Sequence, residues 1–109
     1  MDKPAQTLRL KIAHVDLTEW YEGKKKWMAK INEPPYITNV DLFLEALNRC
    51  KNLDEIQAVV DDIKPHKDLY EGIQSPIFPR PVPPRNVDDA IRQLEFDIKE
   101  AKAGKFHCY

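Results

Sequence analysis

The 109-residue chain sets 17 Lys and Arg against 18 Asp and Glu, for a net charge of −1, and 42% of it is hydrophobic. That composition and length describe one globular domain, with too little chain for two independent cores, and the near-zero charge argues against a dedicated nucleic-acid coat or polybasic membrane anchor. Three glycines against nine prolines exclude the glycine-rich loops that cradle nucleotide phosphates.

Charge is unevenly spread. Residues 1–35 carry seven positive and five negative side chains, residues 36–75 carry four and eight, and residues 76–109 carry six and five. A mildly basic start therefore precedes an acidic middle. The opening Met1-Asp2-Lys3-Pro4 leads into mixed polar sequence without a signal-peptide pattern. No apolar run approaches the ~18 residues that span a bilayer. With only Cys50 and Cys108, a disulfide framework is not expected, and the expected compartment is the reducing cytoplasm.

In chain order, Leu8, Leu10 and Ile12 alternate with Arg9 and Lys11 at strand period, although Leu8, Ile12 and Val15 also fit helical spacing. A short strand is the preferred reading. Asp16-Leu17-Thr18-Glu19 resembles a capping box, and Leu17, Trp20, Tyr21, Trp27, Met28 and Ile31 recur at helical intervals. Gly23 and Lys24 interrupt that stripe, so a β-hairpin turning at residues 22–25 competes with the helix. Pro34-Pro35 ends either element.

Thr38 or Asn39 caps a helix with the stripe Val40, Phe43, Leu44, Leu47 and Cys50. Asn52, with Glu55 three residues on, caps the next, with the stripe Leu53, Ile56, Val59, Val60 and Ile63, closed by Lys64-Pro65. The short link makes them a helical hairpin or corner. Residues 65–85 hold six prolines and no sustained period, which predicts an extended arm. Asn86 caps a final helix with Val87, Ala90, Ile91, Leu94, Ile98 and Ala101 on one face. Asp88–Arg92 and Glu95–Lys99 sit at i,i+4, and Gly104 stops the helix. Residues 105–109 are expected to fray. The predicted fold is thus mainly α: a single domain over 1–109 with a helical hairpin, an extended Pro-rich crossover and a C-terminal helix. A short strand or β-hairpin at the N-terminus is the α+β alternative.

Catalytic signatures are weak. Cys50 falls on a predicted buried stripe, where a thiol stays protonated. Ser75 is the single serine and lacks a Gly-x-Ser-x-Gly context. His107-Cys108 lacks the partners of a tetrahedral metal site. No catalytic residue, cofactor or metal is expected.

Binding features are better marked. Asp54, Glu55, Asp61 and Asp62 share one outward helix face with no lysine among them. This suits a protein partner with a basic surface. Lys24, Lys25, Lys26 and Trp27 interleave cations with an aromatic, the pattern for the alternative of single-stranded nucleic acid. The arm Ile77-Phe78-Pro79-Arg80-Pro81-Val82-Pro83-Pro84-Arg85 offers Phe78, Arg80 and Arg85 for contact. It misses the SH3-ligand pattern, and Pro34-Pro35-Tyr36 misses P-P-x-Y. Phe96 falls on the polar side of the last helix, where a ring needs cover, either from the arm or from a partner. The sequence therefore predicts a non-enzymatic protein-binding module, an adaptor or inhibitor of a larger intracellular protein. It also leaves open homo-oligomers that join the basic start to the acidic middle.

Overall fold

The computed structural model describes residues 11–31 and 37–106. Its elements are β1 (Lys11–Ile12), β2 (Val15–Asp16), α1 (Thr18–Lys30), α2 (Asn39–Asn48), α3 (Leu53–Ile63), a 3-10 segment (Lys64–Tyr70) and α4 (Val87–Lys102). The mainly α fold with a small N-terminal hairpin follows the sequence expectation, but the hairpin turns at Ala13-His14, and residues 22–25, the turn of the alternative hairpin, lie inside α1. Residues 8–10 of the expected strand, the Pro34-Pro35 stop, and His107-Cys108 lie outside the described residues.

Local signals fix most helix ends. The Thr38 hydroxyl accepts from the Asp41 N–H at 3.1 Å while the Asp41 carboxylate accepts from the Thr38 N–H at 3.0 Å, a complete capping box. The Asn52 and Asn86 side chains accept from the N–H groups of Glu55 and Asp89. At the end of α4, Gly104 takes φ +78. The Gly104 N–H bonds to the Ala101 carbonyl and the Lys105 N–H to the Glu100 carbonyl, the two bonds of a Schellman motif. Lys105 is therefore tied to the helix end rather than frayed.

The hairpin β1–β2 pairs Lys11 with Asp16 and Ile12 with Val15. Its two loop residues, Ala13 and His14, have φ 51 and 68, the left-handed geometry that matches the strand twist. That region is costly for alanine. Asp62 on α3 offsets the cost by accepting the Ala13 N–H at 2.5 Å, and Ile12 plugs the core beneath.

Helices α3 and α4 run antiparallel. Lys102 near the end of α4 meets Asp54 at the start of α3 at 2.6 Å, and Gln57 reaches Glu95 at 3.2 Å. Past the end of α3, Lys64 pairs with Glu95, and Lys67 pairs with Asp88 at 2.7 Å. The i,i+4 partners expected within α4 are therefore replaced: Asp88 and Glu95 serve the neighbouring segment, and Arg92 bonds Asp89 instead. Val59, Val60, Ile63, Leu94 and Ile98 fill the seam.

Two expectations are corrected. The apolar face of α2 is Leu42, Phe43, Ala46 and Leu47, whereas Leu44 stays 45% exposed. The arm begins later than residue 65, because residues 64–70 form 3-10 turns. Pro65 sits in their first turn, where its missing N–H is not required. Tyr70 then sets its ring edge against Phe43, with centroids 6.4 Å apart.

Beyond Tyr70 the chain crosses to α4 without regular structure, yet it is anchored. Ile73 and Phe78 are buried. Arg80 donates both guanidinium NH groups to the Asp97 carboxylate at 2.7 Å each, and the Ser75 hydroxyl donates to the same carboxylate at 2.6 Å. Asp97 is 0% exposed. A carboxylate in that position demands charge and hydrogen-bond compensation, and the arm supplies both.

Removing one partner of this pair strands a buried charge. Arg80→Ala is expected to cost about 3–5 kcal/mol, whereas Arg80→Met with Asp97→Leu recovers most of that loss. Denaturant unfolding of the three proteins checks this. A double variant as unstable as the single one would show that stranded charge is not what the arginine relieves.

Candidate functional site

The first helix has a different character from the rest. Within α1 no residue is fully buried; only Leu17, at its N-cap position, is. The Asp16 carboxylate accepts from the Thr18 N–H at 3.0 Å, so Asp16 marks the helix entry much as its position suggests, although the cap position falls on Leu17. Trp20, Lys24, Trp27 and Ile31 share one face by spacing. Leu17 is in the core and Trp20 and Tyr21 pack against it, whereas Trp27 is 56% and Ile31 44% exposed, so only the first part of the stripe read from the sequence faces the core.

That face borders a groove of about 540 Å³ lined by Trp20 and Lys24 on one side and by Asp41, Leu44, Glu45 and Asn48 of α2 on the other. Leu47 and Ile56 also line it, and Pro76 and Ile77 of the arm add a further wall. The Lys24 ammonium lies 5.7 Å from the Trp20 ring and 5.9 Å from the Trp27 ring, a cation-π bracket that holds both indoles. Across the groove, Asp41 is engaged in its capping box and Glu45 accepts from Arg49 at 2.9 Å. The polar rim is thus pre-set by internal partners, while Leu44 in the groove remains open, as do Trp27 and Ile31 further along α1.

The acids expected to form a docking face are distributed among structural tasks. Asp54 meets Lys102, Glu55 accepts the Lys51 N–H at 2.7 Å, Asp61 meets Gln57 and Lys64, and Asp62 holds the hairpin turn. Lysines from other segments compensate a face that holds none itself. In the arm, Phe78 and Arg80 turn inward. Arg85 stays exposed but bonds Asp89 at 2.8 Å. Hydrogen bonds from Arg85, then from Arg92, hold the Asp89 carboxyl well below the usual carboxylate range. Phe96 remains 45% exposed.

The lysine cluster is also divided. Lys24 lies over the two tryptophans and Lys25 over Tyr21 at 5.3 Å, while Lys26 faces a separate cleft with Glu19, Glu22 and Arg49. These three cations do not line one track for a phosphate backbone. Among the described residues, no group of three or more His, Cys, Asp or Glu side chains is placed to hold a metal, and no helix is long and apolar enough to cross a membrane.

Two features escaped the sequence reading. Leu44 falls on the predicted stripe of α2 yet is exposed, and no motif marks Asp97. Asp97 had a signal: it follows Ala90 and Leu94 at helical spacing and so stands on the apolar face. No family model, curated protein or solved structure matches the chain.

Cys50 packs against the core just past the end of α2, where its thiol donates to the Ala46 carbonyl at 3.2 Å. Burial first, and the Glu55 charge second, push the thiol pKa up. Alkylation of Cys50 by iodoacetamide at pH 8, resolved from Cys108 by peptide mapping, is accordingly expected to run several-fold slower in the folded chain than for an exposed thiol and to recover on unfolding. Equal rates in the folded and unfolded chain would contradict this environment.

Proposed function

We propose that the chain is a non-enzymatic protein-binding module, a small adaptor or inhibitor, and that its docking site is the groove between α1 and α2. The observation that carries this reading is the exposed Leu44 set across the groove from Trp20 and Lys24, with Trp27 and Ile31 exposed further along the same face of α1. Large apolar groups held open beside a groove are the usual anchors of protein recognition, with tryptophan foremost. The internally paired rim supports the same reading, because polar groups already fixed lose little freedom when a partner arrives.

The partner's chemistry follows from the walls. An apolar segment fills the groove, and a basic flank suits Asp41 and Glu45, in keeping with the basic partner read from the acidic middle of the chain. Asp54, Asp61 and Asp62 serve as a secondary rim at most, since none of them lines the groove. The expected compartment of this module is the cytoplasm. Nucleic-acid binding through Lys24, Lys25, Lys26 and Trp27 gains no support from the way the lysines are divided.

Capture of binding proteins from the native host, followed by titration of the recovered partner, provides the test. Trp27→Ala and Leu44→Asp are each expected to weaken binding by about 2 kcal/mol, roughly 30-fold. Because both side chains are exposed, thermal unfolding should barely move. A partner that binds both variants as tightly as the parent would rule out this groove as its site.

A further inference from the structure

The chain's single serine is followed by proline, Ser75-Pro76, and it sits in the arm that closes one wall of the groove. Proline at the next position biases Ser75 toward extended backbone, the conformation in which serine-proline sites enter a kinase cleft. The backbone from residue 73 through residue 86 forms no helix or strand, and Gln74 and Pro76 on either side of Ser75 are exposed. Ser75 itself is half-buried, because its hydroxyl donates to Asp97.

We infer that Ser75 is a phosphorylation site for a proline-directed kinase and that its modification releases the arm. In the reaction, Ser75 Oγ forms a bond to the γ-phosphorus of ATP while the bond from that phosphorus to the bridging oxygen breaks. ADP leaves, and the hydroxyl proton passes to the catalytic carboxylate of the kinase. The product can no longer donate to Asp97. It places a charge of about −1.5 to −2 beside a carboxylate that has no solvent to screen it.

Arg80 then has two anions to choose between. The phosphate, on a half-buried residue flanked by exposed neighbours, turns toward solvent and is more highly charged, so the guanidinium moves to it and Asp97 is stranded. The arm around Ile73, Phe78 and Arg80 cannot stay seated over a bare buried carboxylate. Pro76 and Ile77 move with it, and the wall they give the groove goes too. This last consequence rests on the groove being the docking site; release of the arm does not.

The test treats the folded full-length chain with a proline-directed serine/threonine kinase and MgATP, with Ser75→Ala as the control, and maps the product by mass spectrometry. Hydrogen exchange is then compared before and after treatment, and again after a phosphatase. One phosphate on Ser75 is expected, with amides at 73–80 exchanging at least about tenfold faster, α3 and α4 unchanged, and full reversal by the phosphatase. No incorporation into the folded chain overturns the inference. So does a phosphorylated arm that exchanges as before, or acceleration spread evenly through α3 and α4. If the arm opens as expected but the unmodified chain binds no protein at its groove, the functional proposal fails and the switch stands.

Discussion

The Asp97 carboxylate is the constraint around which the rest of this small domain is arranged. It sits on the same side of α4 as Leu94 and Ile98, with no solvent exposure, where an unpaired charge would not be tolerated. Only a segment able to deliver a planar pair of donors plus a hydroxyl can seal that position, and the arm does so with Arg80 and Ser75. Buried ion pairs often add little net stability compared with apolar replacements, but they discriminate strongly between arrangements. Here the discrimination matters, because the arm has no helical or strand ladder to set its register. Ile73 and Phe78 could slide along an apolar surface; Arg80 cannot slide off Asp97 without leaving it bare.

The N-terminal helix lies at the other extreme. It has 13 residues, a glycine near its middle and no fully buried side chain. Isolated helices of this length are marginal in water, and interior glycine weakens them further. What holds it is partial: Leu17 inserted in the core, Trp20 and Tyr21 packed against it, Asp16 at the helix entry, and Lys24 and Lys25 laid over aromatic rings. Contacts of this kind leave α1 at the low end of the domain's stability. An element with little to lose from its own packing can adjust to a partner at small cost, and it is the element that exposes Trp27.

How much of this could be read in advance depended on the range of the interaction. Caps were legible because Thr38, Asn52, Asn86 and Gly104 each act within a few residues of their own position. The faces of α3 and α4 were legible because only one register of apolar residues fits each. On α2 two registers fit, since Leu42 and Leu44 are both apolar, and the choice between them is made by α3 and the 3-10 segment packing on one side. Charged pairs were least legible. Glu95 sits one helical turn from Lys99, yet it is satisfied by Lys64 and Gln57 from a neighbouring element. Sequence spacing states which partners are within reach, and the fold decides which of them is taken. The prolines misled in a related way, because Pro65 reads as the start of an extended arm but is equally suited to the first turn of a 3-10 helix.

The two extremes meet at the groove. One wall belongs to α1, which is weakly held; the opposite wall belongs to α2, whose capping box and core face fix it firmly. The third wall, Pro76 and Ile77, is as rigid as the clamp between Ser75 and Arg80 that brackets it in sequence. A surface built this way has one side that adapts, one that does not, and one whose position depends on a single buried carboxylate. Changes at Asp97, although it faces away from solvent, are therefore transmitted to the groove by the short chain between its two donors. No long coupling path is needed, because Ser75 is bonded directly to the residue that forms the wall.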